Sequence, residues 1–131
     1  MPMPQEVQLC AQRHDALLTD LADALSLATR NQAHTALDAT LMVIRRRCSA
    51  NQLVALAPAF PVVARAMLVQ PSEGPPSADA DAEARGLRAA HNFLPPGGLA
   101  VAAKVVRRHC DIDLLDRLLP DMQPEAAELL G

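Results

Sequence analysis

The chain has no Trp, no Tyr and only two Phe, Phe60 and Phe93, among its 131 residues. So few aromatics leave no surface on which nucleic-acid bases could stack. They also argue against a β-sandwich or barrel, whose strands draw on aromatic and β-branched residues. No window approaches 18 uninterrupted apolar residues, so no membrane span is expected. The opening Met1-Pro2-Met3-Pro4-Gln5-Glu6 lacks the basic and apolar stretches of a secretory signal. Three widely spaced cysteines, Cys10, Cys48 and Cys110, do not form a disulfide framework, and a reducing, cytoplasmic setting fits them best. There is no Gly-rich phosphate loop, no nucleophile elbow, no paired Ser/His/Asp pattern and no CxxC or HExxH. The expectation is therefore a protein that is not an enzyme and that carries no cofactor or metal.

What is present is apolar and helix-forming. Half the residues are hydrophobic, and with so few aromatics the core must be aliphatic. A net charge of −3 with that hydrophobicity excludes a disordered chain. Eleven Pro and five Gly cut the helix-forming stretches into short pieces. The basic residues are eleven Arg and the single Lys104, a bias that suggests a GC-rich bacterial genome.

The most informative feature is an internal match at an offset of 62 residues. Val43-Ile44-Arg45-Arg46-Arg47-Cys48 aligns with Val105-Val106-Arg107-Arg108-His109-Cys110, and nine of the 26 positions from 43 to 68 are identical. The chain reads as one domain, 1–131, made of two tandem repeats at about 13–69 and 75–131, joined by a Pro/Gly-rich linker, 70–76. Each repeat predicts four helices, and the fold class is an all-α bundle of about eight short helices. The first helix runs from about Gln5 and carries Val7, Cys10, Leu17, Leu18, Leu21, Leu25 and Ala28 on one face. Its counterpart is expected to start at Ser77 as N-cap, with Asp79 and Asp81 in the first turn. The second helix shows Leu37, Leu41, Ile44 and Cys48, matched by Leu99, Ala103, Val106 and Cys110. Ser49-Ala50-Asn51-Gln52 reads as a capping box and Asp111 as the equivalent cap. Pro58 and Pro120 stop the short third helices, and a last helix follows Pro61 or Pro124.

An Ala-rich helix ending in an aliphatic pair and basic residues, then a short helix closing on Ala-Pro or Leu-Pro, then a helix with a small residue one turn in, occurs twice, over Ala36–Leu68 and Leu99–Leu130. This pattern resembles a bacterial family of two-repeat α-helical domains of unknown function. The resemblance implies an all-α fold and a bacterial origin, and it transfers no catalytic residues. The sequence departs from the pattern at Ala57-Pro58 and at Asn92-Phe93-Leu94-Pro95-Pro96-Gly97-Gly98.

Two arginine clusters supply the candidate interaction face: Arg45, Arg46, Arg47, Lys104, Arg107 and Arg108. A step of about 100° per residue from Leu37 puts Arg46 opposite the apolar stripe, with Arg45 and Arg47 on its flanks. The cluster is thus expected to project outward from the last helical turn, where cations suit the helix dipole. A protein partner or a second copy is the expected contact, and the acidic balance of charges argues against nucleic acid. The alternative is a small apolar or anionic ligand held between the repeats. Cys48 and Cys110 read as small buried hydrophobes. Cys10 and His14, at i and i+4, have a ligand-type spacing but lack further ligands. His14, His34, His91 and His109 show no orienting partner in the sequence.

Overall fold

The computed structural model describes residues 4–71 and 74–131. Eight α-helices follow one another: α1 (Gln5–Leu25), α2 (Arg30–Arg46), α3 (Ala50–Leu56), α4 (Val62–Leu68), α5 (Ala80–Gly86), α6 (Gly98–Arg108), α7 (Ile112–Leu118) and α8 (Pro124–Leu130). Single 3-10 turns, Ala57–Ala59 and Leu119–Asp121, extend α3 and α7. There is no strand among the described residues. No helix among them is long and apolar enough to cross a membrane.

Local chemistry sets most of the helix ends. Thr29 caps α2 by accepting the Gln32 N–H. Ser49 and Gln52 form a reciprocal capping box on α3, and Asp111 accepts the Leu114 N–H at the start of α7. Helix α1 stops where Ser26 turns left-handed, at φ 54°, and the Leu27 N–H reaches back to the Ala22 carbonyl at 2.9 Å. Proline does not end α3 and α7 abruptly. Pro58 and Pro120 sit inside the 3-10 turns, where a missing N–H costs nothing.

α2 and α6 are the central helices. α2 buries Ala33, Ala36, Leu37, Ala39, Leu41, Val43 and Ile44, which is more than one face, because α1, α4, α5 and α6 all pack on it. α6 buries Leu99, Ala102, Ala103, Val105 and Val106 among α1, α2, α5 and α8. Ala at so many of these positions lets the backbones approach closely. The remaining core is almost wholly aliphatic, with Phe60 its one aromatic side chain.

α7, its 3-10 turn and α8 each lie 62 residues after α3, its 3-10 turn and α4, with the same lengths. The packing follows the same exchange: α1 lies on α2 and crosses to α6, while α5 lies on α6 and crosses to α2. α2 meets α6, and α3 meets α7. Between α3 and α7 the Asp111 N–H donates to the Ala59 carbonyl at 2.7 Å. At the matching place across the contact, Gln52 bridges the gap: its Oε1 accepts the Ser49 N–H and its Nε2 donates to the Asp121 carbonyl.

The two halves differ at their first helix. α1 has 21 residues and α5 only seven. Ser77 is not the N-cap of α5, because Arg47 and Glu83 hold its backbone in an extended connection; Asp79 caps the helix instead, accepting the Ala82 N–H. In register, residues 76–79 stand against 14–17 of α1, so non-helical chain replaces helix. Asp81 pairs with Arg85 of its own helix and also serves α6. It accepts the Gly97 and Leu99 N–H groups, which the Pro95-Pro96-Gly97-Gly98 turn leaves without a capping side chain. Gly97 is left-handed, at φ 77°, and a Cβ on Gly98 would come within 2.9 Å of Pro95 Cδ.

Candidate functional site

The arginine face expected from the sequence does not form. Arg45 and Arg47 are buried, at 6% and 3% exposed, and Arg46 is mostly covered. The helical step places them at the edge of the α2 stripe, but α4, α5 and the connection before α5 close over that edge. Arg45 Nη1 donates to the Met67 carbonyl at 2.8 Å and to that of Leu68 at 3.4 Å, closing the C-terminus of α4. Arg107 does the same for the second half, donating to the Leu130 carbonyl at 2.9 Å while it grips Asp116 with both Nη atoms. Arg47 bonds the Val43 carbonyl, the Ser77 carbonyl and both oxygens of Glu83. These cations are structural. Of the six candidate residues, only Lys104 and Arg108 are exposed, and they make no hydrogen bond or ion pair with the described residues.

The Glu83 carboxylate is the centre of a polar cluster with Arg46, Arg47 and Ser77. Burial works against its charge, but the Arg47 and Ser77 hydrogen bonds and the Arg46 charge outweigh burial and hold it below the ordinary glutamate range. Its partner residues show why sequence reading missed it: Glu83 lies 36 residues from Arg47, and nothing in the local pattern links them.

Cys48 and Cys110 pack as small hydrophobes against the core, and all three cysteines are free thiols. Burial pushes the Cys48 thiol up to about 11 and the Cys110 thiol up to about 12. Both are therefore thiols rather than thiolates at neutral pH, and weak nucleophiles. No group of three His, Cys, Asp or Glu side chains among the described residues is placed to hold a metal ion. His109, which lacks a partner in the sequence pattern, pairs with Asp20 of α1 and ties the end of α6 to that helix.

His14 is the buried ionisable group of α1, stacked edge-to-face on His34 with ring centroids 6.1 Å apart. Its Nδ1 is buried without a hydrogen-bond partner among the described residues. Burial first, then the His34 and Arg30 charges, lower its pKa from 6.5, against a smaller opposite pull from Asp15. The folded chain thus resists a proton that the unfolded chain accepts. The stabilisation is complete above pH 6.5 and is lost as pH falls below it. The melting temperature should drop between pH 7.5 and 5.5, and His14→Leu should flatten that drop. An unchanged slope in the variant would assign the effect to other groups.

A concavity of about 920 Å³ lies in the second half, between α6, α8 and residues 76–81. Leu99, Ala100 and Leu129 form its apolar side, and Lys104, Glu125 and Glu128 its charged walls. It exists because of the difference between α1 and α5. In the first half, α1 packs along α4 with His14, Leu17 and Leu18 buried. In the second half the register puts Pro76, Asp79 and Ala80 at those positions, and α5 has no comparable packing on α8. A smaller groove, of about 390 Å³, lies beside Arg13, Phe60 and Arg65. Another, of about 460 Å³, is lined by His34, Asp38, Arg88, His91 and the exposed Phe93.

A family model described as an uncharacterized conserved protein (DUF2267) matches residues 14–129, nearly the whole chain. No curated protein matches the chain significantly.

Proposed function

The chain belongs to the DUF2267 family, and we propose that it is a non-enzymatic helical module of the bacterial cytoplasm that acts by protein–protein contact through the α6–α8 groove. The observation that carries this reading is the groove's origin: it is a place where the first half carries a helix and the second half does not. A concavity made by leaving out a helix has the width and the mixed apolar and charged lining suited to one. Its exposed charges, Lys104, Glu125 and Glu128, are unpaired among the described residues and open to a partner. A small apolar or anionic ligand is the second reading, favoured by a volume within the usual range for ligand pockets. It is the weaker one, because Arg47, the other cation at the groove, is already committed to Glu83.

The test is a photo-crosslinking residue at Ala100 on the groove, with one at exposed Val54 on α3 as the control. Irradiation in cells should give a discrete protein adduct from position 100 and none from position 54. No protein adduct from position 100, together with a melting temperature raised by a metabolite, would replace the contact reading with the ligand one.

A further inference from the structure

α1 does not end where the core ends. His14 is its first buried residue, and from Gln5 to Arg13 every residue is exposed except the half-covered Cys10. The apolar stripe nevertheless continues along this arm: Val7 and Cys10 extend the line of His14, Leu17 and Leu21 at helical spacing. Val7 is 50% exposed and Leu9 44%. An uncovered helix of nine residues is marginal in water, so this arm gains stability from any surface that covers its stripe. The molecule thus holds two complementary incomplete features: a helical arm with no body to pack on, and a groove with no helix in it.

We propose that the α1 arm of a second copy of this chain occupies the α6–α8 groove, and that the exchange is reciprocal across a twofold axis. This rests on the contact reading above and names its partner. Charge supports the choice of occupant. The arm carries Glu6 and Arg13, two helical turns apart, and neither makes an ion pair with the described residues. The groove presents Lys104 on one wall and Glu125 and Glu128 on the other, also unpaired. Laid along the groove with Glu6 towards Lys104, the arm sets opposite charges against each other and turns Val7, about 100° round the helix, towards Leu99, Ala100 and Leu129. Reciprocity places two such contacts in one closed dimer, so neither arm nor groove is left over.

The test is sedimentation equilibrium of the full chain from micromolar to about millimolar concentration, with circular dichroism to show that each variant keeps its helices. The wild-type chain should form a reversible dimer. Val7→Asp, which puts a charge into the apolar contact while sitting outside the core, should weaken the dimer at least about tenfold. Glu6→Lys and Lys104→Glu should each weaken it by up to about fivefold, and the two together should restore it. A chain that stays monomeric throughout overturns the proposal, and so does a dimer indifferent to Val7→Asp. A dimer weakened by Val7→Asp but indifferent to the Lys104 and Glu6 exchanges overturns the groove as the arm's seat. Should the purified chain stay monomeric while position 100 still crosslinks a heavier protein in cells, the contact reading stands and the self-association falls.

Discussion

Glu83→Ala should lower the unfolding free energy by about 3–5 kcal/mol, the cost of breaking a buried ion pair by removing one partner. The reason lies in what would remain. Arg47 is 3% exposed and could not turn to water without opening the connection before α5. Its Nη2 would keep the Ser77 carbonyl, but its charge would lose both carboxylate oxygens. The Ser77 N–H, now 2.6 Å from Glu83 Oε1, would lose its acceptor as well. Urea unfolding followed by far-ultraviolet circular dichroism measures the change, and no Trp or Tyr signal is required. Glu83→Gln, which keeps the shape and can keep the Ser77 bond, should cost less than Glu83→Ala. The wild-type contribution has a defined pH window. The folded-state pKa of Glu83 lies below its ordinary 4.5, so the stabilisation is present above that pH and is lost as pH falls below it. This acid limb is separate from the His14 limb, which begins near pH 6.5. A Glu83→Ala protein as stable as the wild type would mean that the cluster relaxes into water.

The second large effect separates two residues that the sequence alignment makes equivalent. Arg45→Ala should cost about 2–4 kcal/mol, because it takes the guanidinium donor from the Leu68 carbonyl, leaves that of Met67 with only the Gln70 N–H, and opens a cavity in a closed part of the core. Arg107→Ala removes the matching bond to the Leu130 carbonyl, but that side chain is 22% exposed and Asp116 lies in solvent. Water can replace what Arg107 provided, so its loss should be clearly smaller. Parallel urea titrations of the two variants read the difference directly. Equal losses would mean that the two helix ends are held alike, whatever their exposure. The asymmetry has a structural source, since the chain continuing from α4 passes over Arg45, whose Nη2 donates to the Pro71 carbonyl.

Much of this fold was legible from residues alone. Ser49 with Gln52, Asp111, and the i, i+4, i+7 spacing of Leu37, Leu41 and Ile44 are local signals, each decided within one or two helical turns, and they marked α2, α3 and α7 correctly. α3, α4 and their connecting turn stand 62 residues before α7, α8 and theirs, the same offset as the sequence match. The composition excluded strands and left an aliphatic helical core, because helix propensity and apolar periodicity are properties of short segments. The arginines were misread for the opposite reason. A helical wheel gives the direction in which Arg45 and Arg47 leave α2, but whether that direction meets water depends on α4, α5 and the Ser77 connection, which are distant in sequence. The same holds for Asp81, whose position in the first turn of α5 suggested a role in that helix alone, while its oxygens also cap α6. Helix positions and the core stripes follow from nearest-neighbour chemistry along the chain. Which charges are buried, and where a groove opens, follow from what packs over them, and that is settled only when helices far apart in sequence meet.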